Sequence, residues 1–199
     1  HTPLPIRRRP NPRLQPRRPL RASLNTCTFL SEEIKYCQRR HVKVLLSIGG
    51  EIGNYTLISN KDAAHVAAYP WNNFLGDKHN STARLLGAAV LDGVDLAISQ
   101  GSPEHYPALV MYLRSIDETI LISGAPFCPF PSKYLGRALE STRFGYVWVQ
   151  FNKNPECEYN NTSADNLINS WRTWTMSKEV RAAKIFLELM AAVIFRRVC

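Results

Sequence analysis

Two aspartates, Asp92 and Asp95, stand in a stretch that is otherwise apolar or small: residues 88–101 read AAVLDGVDLAISQG. Val94, Leu96 and Ile98 alternate with Asp95, Ala97 and Ser99. That period of two predicts a short strand with one apolar face and one face of small or acidic groups. A carboxylate in mid-strand is costly unless it is paired or solvated. Taken alone, the stretch reads as an edge strand with one wet face. Glu104 and His105 follow just downstream, and both are expected at a solvated helix start, where acids are common. Ser99 and His105 make no convincing nucleophile–base pair, because no nucleophile-elbow pattern surrounds the serine. The five cysteines, Cys27, Cys37, Cys128, Cys157 and Cys199, contain no C-x-x-C, so neither a zinc ribbon nor a dithiol redox site is expected. No paired metal ligands are visible, and the expectation is no metal and no cofactor.

The elements that must position these groups follow from hydrophobic pattern and capping. A helix is predicted over 31–37 with Ser31 as N-cap, then a buried strand over 42–48 ended by Gly49 and Gly50. Residues 62–74 form a helix that Pro70 must kink or interrupt. The strand over 93–99 comes next, then a helix over 103–116 with Pro103 in its first turn. A strand over 119–123, a helix over 131–139 and a strand over 146–151 follow. A helix over 165–173 and a strand over 184–189 complete the order. Five strands alternating with helices imply a parallel α/β sheet. A doubly wound sheet and a barrel both fit. The lack of G-x-G-x-x-G after the first strand weakens a dinucleotide-binding sheet. Polar residues towards strand C-terminal ends (Ser47, Asp95, Ser99, Gln150) suit a barrel, whose sites lie at that face.

Composition narrows the class further. The chain has 199 residues with 45% hydrophobic and 21% charged residues, which suits one globular domain. Its formal charge of +9 is concentrated at one end: residues 1–25 hold seven Arg, six Pro and no acid. The other 174 residues carry 18 basic and 16 acidic groups. The basicity therefore belongs to an Arg/Pro arm, read as disordered or polyproline-like, and not to a folded surface. Without aromatic interleaving, the arm does not argue for specific nucleic-acid binding. No apolar run approaches the ~20 residues of a bilayer span, and no secretory h-region is visible. Asn54, Asn80, Asn160 and Asn161 lie in N-x-S/T sequons, candidates for glycosylation on a secretory route.

Several segments in collinear order resemble the plant class III chitinases, the acidic endochitinase and hevamine-like group of glycoside hydrolase family 18. They are KVLLSIGG (43–50), IGNYTL (52–57), WNNFLG (71–76), LDGVDLAI (91–98), CPFP (128–131), YLG (134–136), YVWVQF (146–151), INSW (168–171) and KIFL (184–187). The loop GSPEHY (101–106) is similar to that of the xylanase inhibitors, inactive relatives within the family. The resemblance implies a (β/α)8 TIM barrel, with residues 26–199 as a partial barrel whose five strands are the third to seventh. A barrel lacking strands has open edges, so marginal stability alone, or association, is expected. The family further implies a Cys128–Cys157 disulfide, with Cys27, Cys37 and Cys199 left over. It implies extracellular secretion and a role in plant defence.

The family's strand-four motif is D-G-x-D-x-D-x-E, and its hydrolysis is substrate-assisted, outside the two-carboxylate scheme. The Glu protonates the glycosidic oxygen, the Asp before it stabilises the oxazolinium, and a Tyr after the sixth strand holds the acetamido group. In this chain Asp92 and Asp95 are retained. Ala97 stands at the stabilising Asp, Ser99 at the acid Glu and Asn152 at the Tyr. A serine hydroxyl is too weak an acid for the task, and loss of a general acid typically costs about 10²–10⁴ in rate. The resemblance thus implies a catalytically impaired chitinase-like protein that binds chitin or N-acetylglucosamine oligomers. Gln150 and Tyr55 are the candidate sugar contacts, and Trp148 is either a contact or core. Three other readings stay open: an active acidic endochitinase cleaving β-1,4-N-acetylglucosamine linkages, a xylanase-inhibitor-like protein, and a degenerate fragment. Asp95 is expected to be a buried, hydrogen-bonded structural carboxylate. Oligomeric state is not readable.

Overall fold

A computed structural model describes residues 27–52, 55–76, 84–152, 154–160 and 163–189. The Arg/Pro arm, Cys199 and the sequon residues Asn54, Asn80 and Asn161 lie outside them. Five strands, β1 (Leu45–Gly50), β2 (Gly93–Ile98), β3 (Leu121–Gly124), β4 (Phe144–Gln150) and β5 (Ala182–Glu188), alternate with helices α2 (Asn60–Pro70), α3 (Tyr106–Ile116), α4 (Gly136–Ser141) and α5 (Asp165–Met176). Helix α1 (Ser31–Arg39) precedes them.

All strand pairings are parallel and the sheet order is β1-β2-β3-β4-β5. A doubly wound sheet reverses its order at a switch point. Here each strand pairs with the next in sequence, which is the progression of a (β/α) barrel wall. The fold is α/β of the TIM-barrel type, with five consecutive strands among the described residues. Strand β2 lies between β1 and β3, so it is interior and not an edge.

The two faces of the sheet differ. Val94, Leu96, Ile98, Ile122, Val147 and Val149 point outward and are buried against the helices. Leu109, Val110 and Leu113 of α3 and Ala63 and Ala67 of α2 close the same layer. Each fully buried Val, Leu or Ile contributes roughly 1.5–3 kcal/mol. The inner face carries Leu45, Ser47, Asp95, Ala97, Ser123 and Trp148, and it borders a cavity. Gly93 permits this close wall, since a Cβ there would collide with the Leu121 carbonyl oxygen.

Element boundaries move for physical reasons. A 3-10 turn, Thr28–Leu30, runs straight into α1, so Ser31 is the first helical residue and caps nothing. Strand β1 starts at Leu45 and keeps Gly49 and Gly50 within it, both at positive φ. Pro70 ends α2, and a π turn, Trp71–Leu75, continues from it. Pro107, not Pro103, sits in the first turn of α3. Helix α4 begins at Gly136 because residues before it are spent in turns. Buried Arg84 donates to the carbonyls of Gly76, Phe74 and Ala89, joining the end of the π turn to the approach of β2.

Candidate functional site

Parallel strands deliver their C-terminal ends to one pole, and a cavity of about 510 Å³ opens there. Its wall is made by inward side chains of all five strands and the loops that follow them. Adjacent strand positions put Ser47, Asp95 and Ser123 in one row across β1, β2 and β3. Ser47 Oγ donates to Asp95 Oδ2 at 2.9 Å and Ser123 Oγ donates to Oδ1 at 2.6 Å. Asp95 is therefore hydrogen-bonded as expected, but it is half-buried and lines the cavity rather than lying sealed beneath it.

Asp92, three residues earlier, serves the opposite pole. Its carboxylate accepts from Gln38 Nε2, Lys43 Nζ and the Val44 N–H, each at 2.9 Å. Burial works against its charge. The Val44 N–H, Gln38 and Lys43 outweigh that, and the carboxyl sits below the usual range. Lys43 is correspondingly raised by its bond to Asp92. This group ties α1 and the start of β1 to β2.

Towards the cavity mouth, Ala97 and Ser99 line the wall. Ala97 has no polar group to offer. Ser99 Oγ donates to the Gly50 carbonyl at 2.6 Å, and Tyr55 Oη donates to the same carbonyl at 2.7 Å. The Ser99 N–H donates to Tyr55 Oη at 3.1 Å. Tyr55, the other candidate sugar contact, is thus a latch over the ends of β1 and β2 and is not among the residues that line the cavity. Gln150 does line the wall, and its Nε2 donates to the Ala125 carbonyl at 2.8 Å. Asn152 lies outside the wall, with its Oδ1 buried and accepting no hydrogen bond among the described residues.

Trp148 is 37% exposed and faces the cavity, so it is not plain core. Its indole stacks on Phe186 with centroids 4.2 Å apart and planes 18° from parallel, and Tyr146 lies tilted against both. Glu104 pairs with Arg137 at 2.8 Å and His105 Nδ1 lies 2.8 Å from Asn60 Oδ1, so both residues are occupied at the start of α3. Tyr106 is buried, and burial followed by the neighbouring Tyr55 pushes its phenol up to about 12.

Glu188 was missed in the sequence. It ends β5 in register with Gln150 and lines the cavity. Burial and then the charge of Asp95 hold its carboxyl above the usual range. A lone acid at the end of the apolar run KIFLEL was the available signal. Cys128 and Cys157 form a disulfide, Cα atoms 6.2 Å apart, that clips the loop after β3 to the loop after β4. Cys27 and Cys37 are free. Asn160 is exposed, and its Oδ1 accepts from the Ser163 N–H. Among the described residues, no group of His, Cys, Asp or Glu is placed to hold a metal ion, and no helix is long and apolar enough to cross a membrane.

Comparison with known proteins places this geometry. The profile of glycosyl hydrolases family 18 matches residues 25–191. An acidic endochitinase of Arabidopsis thaliana is 48% identical over 171 residues, covering 84% of this chain and 55% of that protein. The chain therefore spans about half the length of that relative. Among solved structures, the ICChI chitinase from Ipomoea carnea superposes with a TM-score of 0.79 at 43% identity, over 86% of this chain and 62% of that one. A xylanase and alpha-amylase inhibitor protein from Scadoxus multiflorus superposes with a TM-score of 0.76 at 40% identity, over 81% and 60%. By sequence, strand order and the position of its cavity, this chain belongs to the glycosyl hydrolases of family 18.

Proposed function

We propose that this chain is a chitinase-like carbohydrate-binding protein whose hydrolytic step is impaired, acting on chitin or N-acetylglucosamine oligomers as ligands. The observation that carries the reading is the mouth of β2. Ala97 and Ser99 stand where the family's resemblance calls for the stabilising Asp and the acid Glu, and the Ser99 hydroxyl is already given to the Gly50 carbonyl. Asn152, at the position of the family's Tyr, lies off the wall. The remaining wall carboxylates, Glu51, Asp95 and Glu188, do not restore the missing pair on the catalytic strand. A missing acid costs about 10²–10⁴ in rate, and losing its partner adds to that without being additive. The Cys128–Cys157 disulfide suits a secreted protein or another oxidising compartment.

The test is to incubate the purified chain with a chito-oligosaccharide and to measure cleavage and binding together. Binding with turnover at least ~10²-fold below an active endochitinase is expected. Turnover at the active enzyme's rate overturns the impairment, and absence of binding overturns the ligand. Restoring Ala97→Asp, Ser99→Glu and Asn152→Tyr together should raise turnover, because the cavity that holds the sugar is already formed.

A second reading has its own support. The likeness to the Scadoxus multiflorus inhibitor and the loop at 101–106 favour a xylanase-inhibitor-like protein. A xylanase assay with this chain added separates the two, since a carbohydrate binder leaves the xylanase rate unchanged.

A further inference from the structure

The strand-end cavity, and not any one of its side chains, locates the site, and its ligand preference rests on the carbohydrate-binding reading of it. The wall has two properties that select a ligand. Its charge is of one sign: Glu51, Asp95 and Glu188 line it, and no Lys, Arg or His does among the described residues. Several of its side-chain donors are also already engaged. Ser47 and Ser123 donate to Asp95, Ser99 donates to Gly50, and Gln150 donates to Ala125. Each of these side chains spends one donor within the fold, while the carboxylates of the wall offer acceptors only. An acetamido group carries no charge to answer the three carboxylates. An ammonium group carries three donors and a positive charge, and both properties are matched.

We infer that the cavity prefers the de-N-acetylated form of the sugar, a glucosamine oligomer carrying ammonium groups, over the N-acetylated form. Trp148 distinguishes such a ligand from a bare cation. Its indole, braced by stacking on Phe186, offers an apolar face on which a pyranose ring can lie. The amines then meet the carboxylates around it.

The experiment is calorimetric titration of the whole chain with three probes: glucosamine tetramer, N-acetylglucosamine tetramer and spermine. It is run at about pH 6, where a sugar amine is protonated and a carboxyl is mostly ionised. The glucosamine tetramer is expected to bind about tenfold tighter than the acetylated one at low salt, and that margin is expected to shrink at ~0.5 M salt by screening. Glu188→Gln should reduce the margin between the two tetramers several-fold. Glu51→Gln is the second variant, should the first fold poorly. Equal or tighter binding of the acetylated tetramer overturns this inference and leaves the carbohydrate site standing. Binding of neither tetramer overturns both. Spermine binding as tightly as the glucosamine tetramer reduces the cavity to a general cation trap and overturns the preference. A margin unmoved by either variant does the same.

Discussion

The two ends of β2 are built differently. At its start, Asp92 is tied by three donors that reach it from α1 and from the approach to β1. At its end, Ala97 ties to nothing by its side chain, and Ser99 closes on the neighbouring strand's backbone. Asp95 stands between, tied on both sides by serines yet facing the cavity. The difference shows which acids of this strand the fold itself needs. Asp92 organises a junction of three elements, and its removal strands donors. The positions nearest the mouth can change to Ala or Ser with little structural cost, because their neighbours make no demand on a charge.

The largest expected effect tests whether the mouth has a tie of comparable strength to Asp92. The disulfide Cys128–Cys157 closes a separation of 29 residues between the loops after β3 and β4. Cys128→Ala with Cys157→Ala should cost about 3.5 kcal/mol in urea unfolding, by loop-closure entropy. Asp92→Ala comes next, at about 2–3 kcal/mol, since it removes charge-assisted bonds and leaves the Val44 N–H without its acceptor. The pH dependence has a definite sign. Asp92 is depressed in the folded chain, so its contribution is present above the unfolded value of ~3.9 and is lost as pH falls through the folded value. Asp92→Asn should flatten the acid side of the stability curve. An unchanged acid limb would mean that Asp92 is not the strand's anchoring acid.

Much of this was legible in the sequence. The period-two run 94–99 gave β2 and its faces, and five alternating elements gave the parallel sheet. Strand order was not legible, because alternation of strand and helix suits both a reversing sheet and a barrel. Ser31 misled because a helix N-terminus can be entered through a 3-10 turn, which leaves a good capping residue inside the helix. The placement of Tyr55 was hidden for a different reason. Residue type signals that a phenol is available, but only the fold shows that its O–H donates to the Gly50 carbonyl. Glu188 escaped because an acid ending an apolar strand has no local partner to mark it. Its significance is the approach of Asp95, set by strands far apart in sequence.

The smallest effects lie at the mouth, and their signs are the sharper test. Ser99→Ala should cost about 1 kcal/mol, the value of one neutral hydrogen bond, against two to three times that for Asp92→Ala. Glu188→Gln should do the opposite. A carboxyl raised in the folded chain favours the protonated form, so its contribution is most favourable below the unfolded value and declines as pH rises through the folded value. At neutral pH the charged Glu188 is therefore a burden beside Asp95. Neutral Gln should stabilise the chain there by only a few tenths of a kcal/mol, because the residue is largely exposed and water screens it. The gain should vanish below about pH 4, where the wild-type carboxyl is protonated as well. Urea midpoints for both chains across about pH 3–8 measure it. A loss of stability at neutral pH would show that Glu188 belongs with Asp92 among the acids the fold depends on, and that the mouth is not the electrostatically unfavourable end.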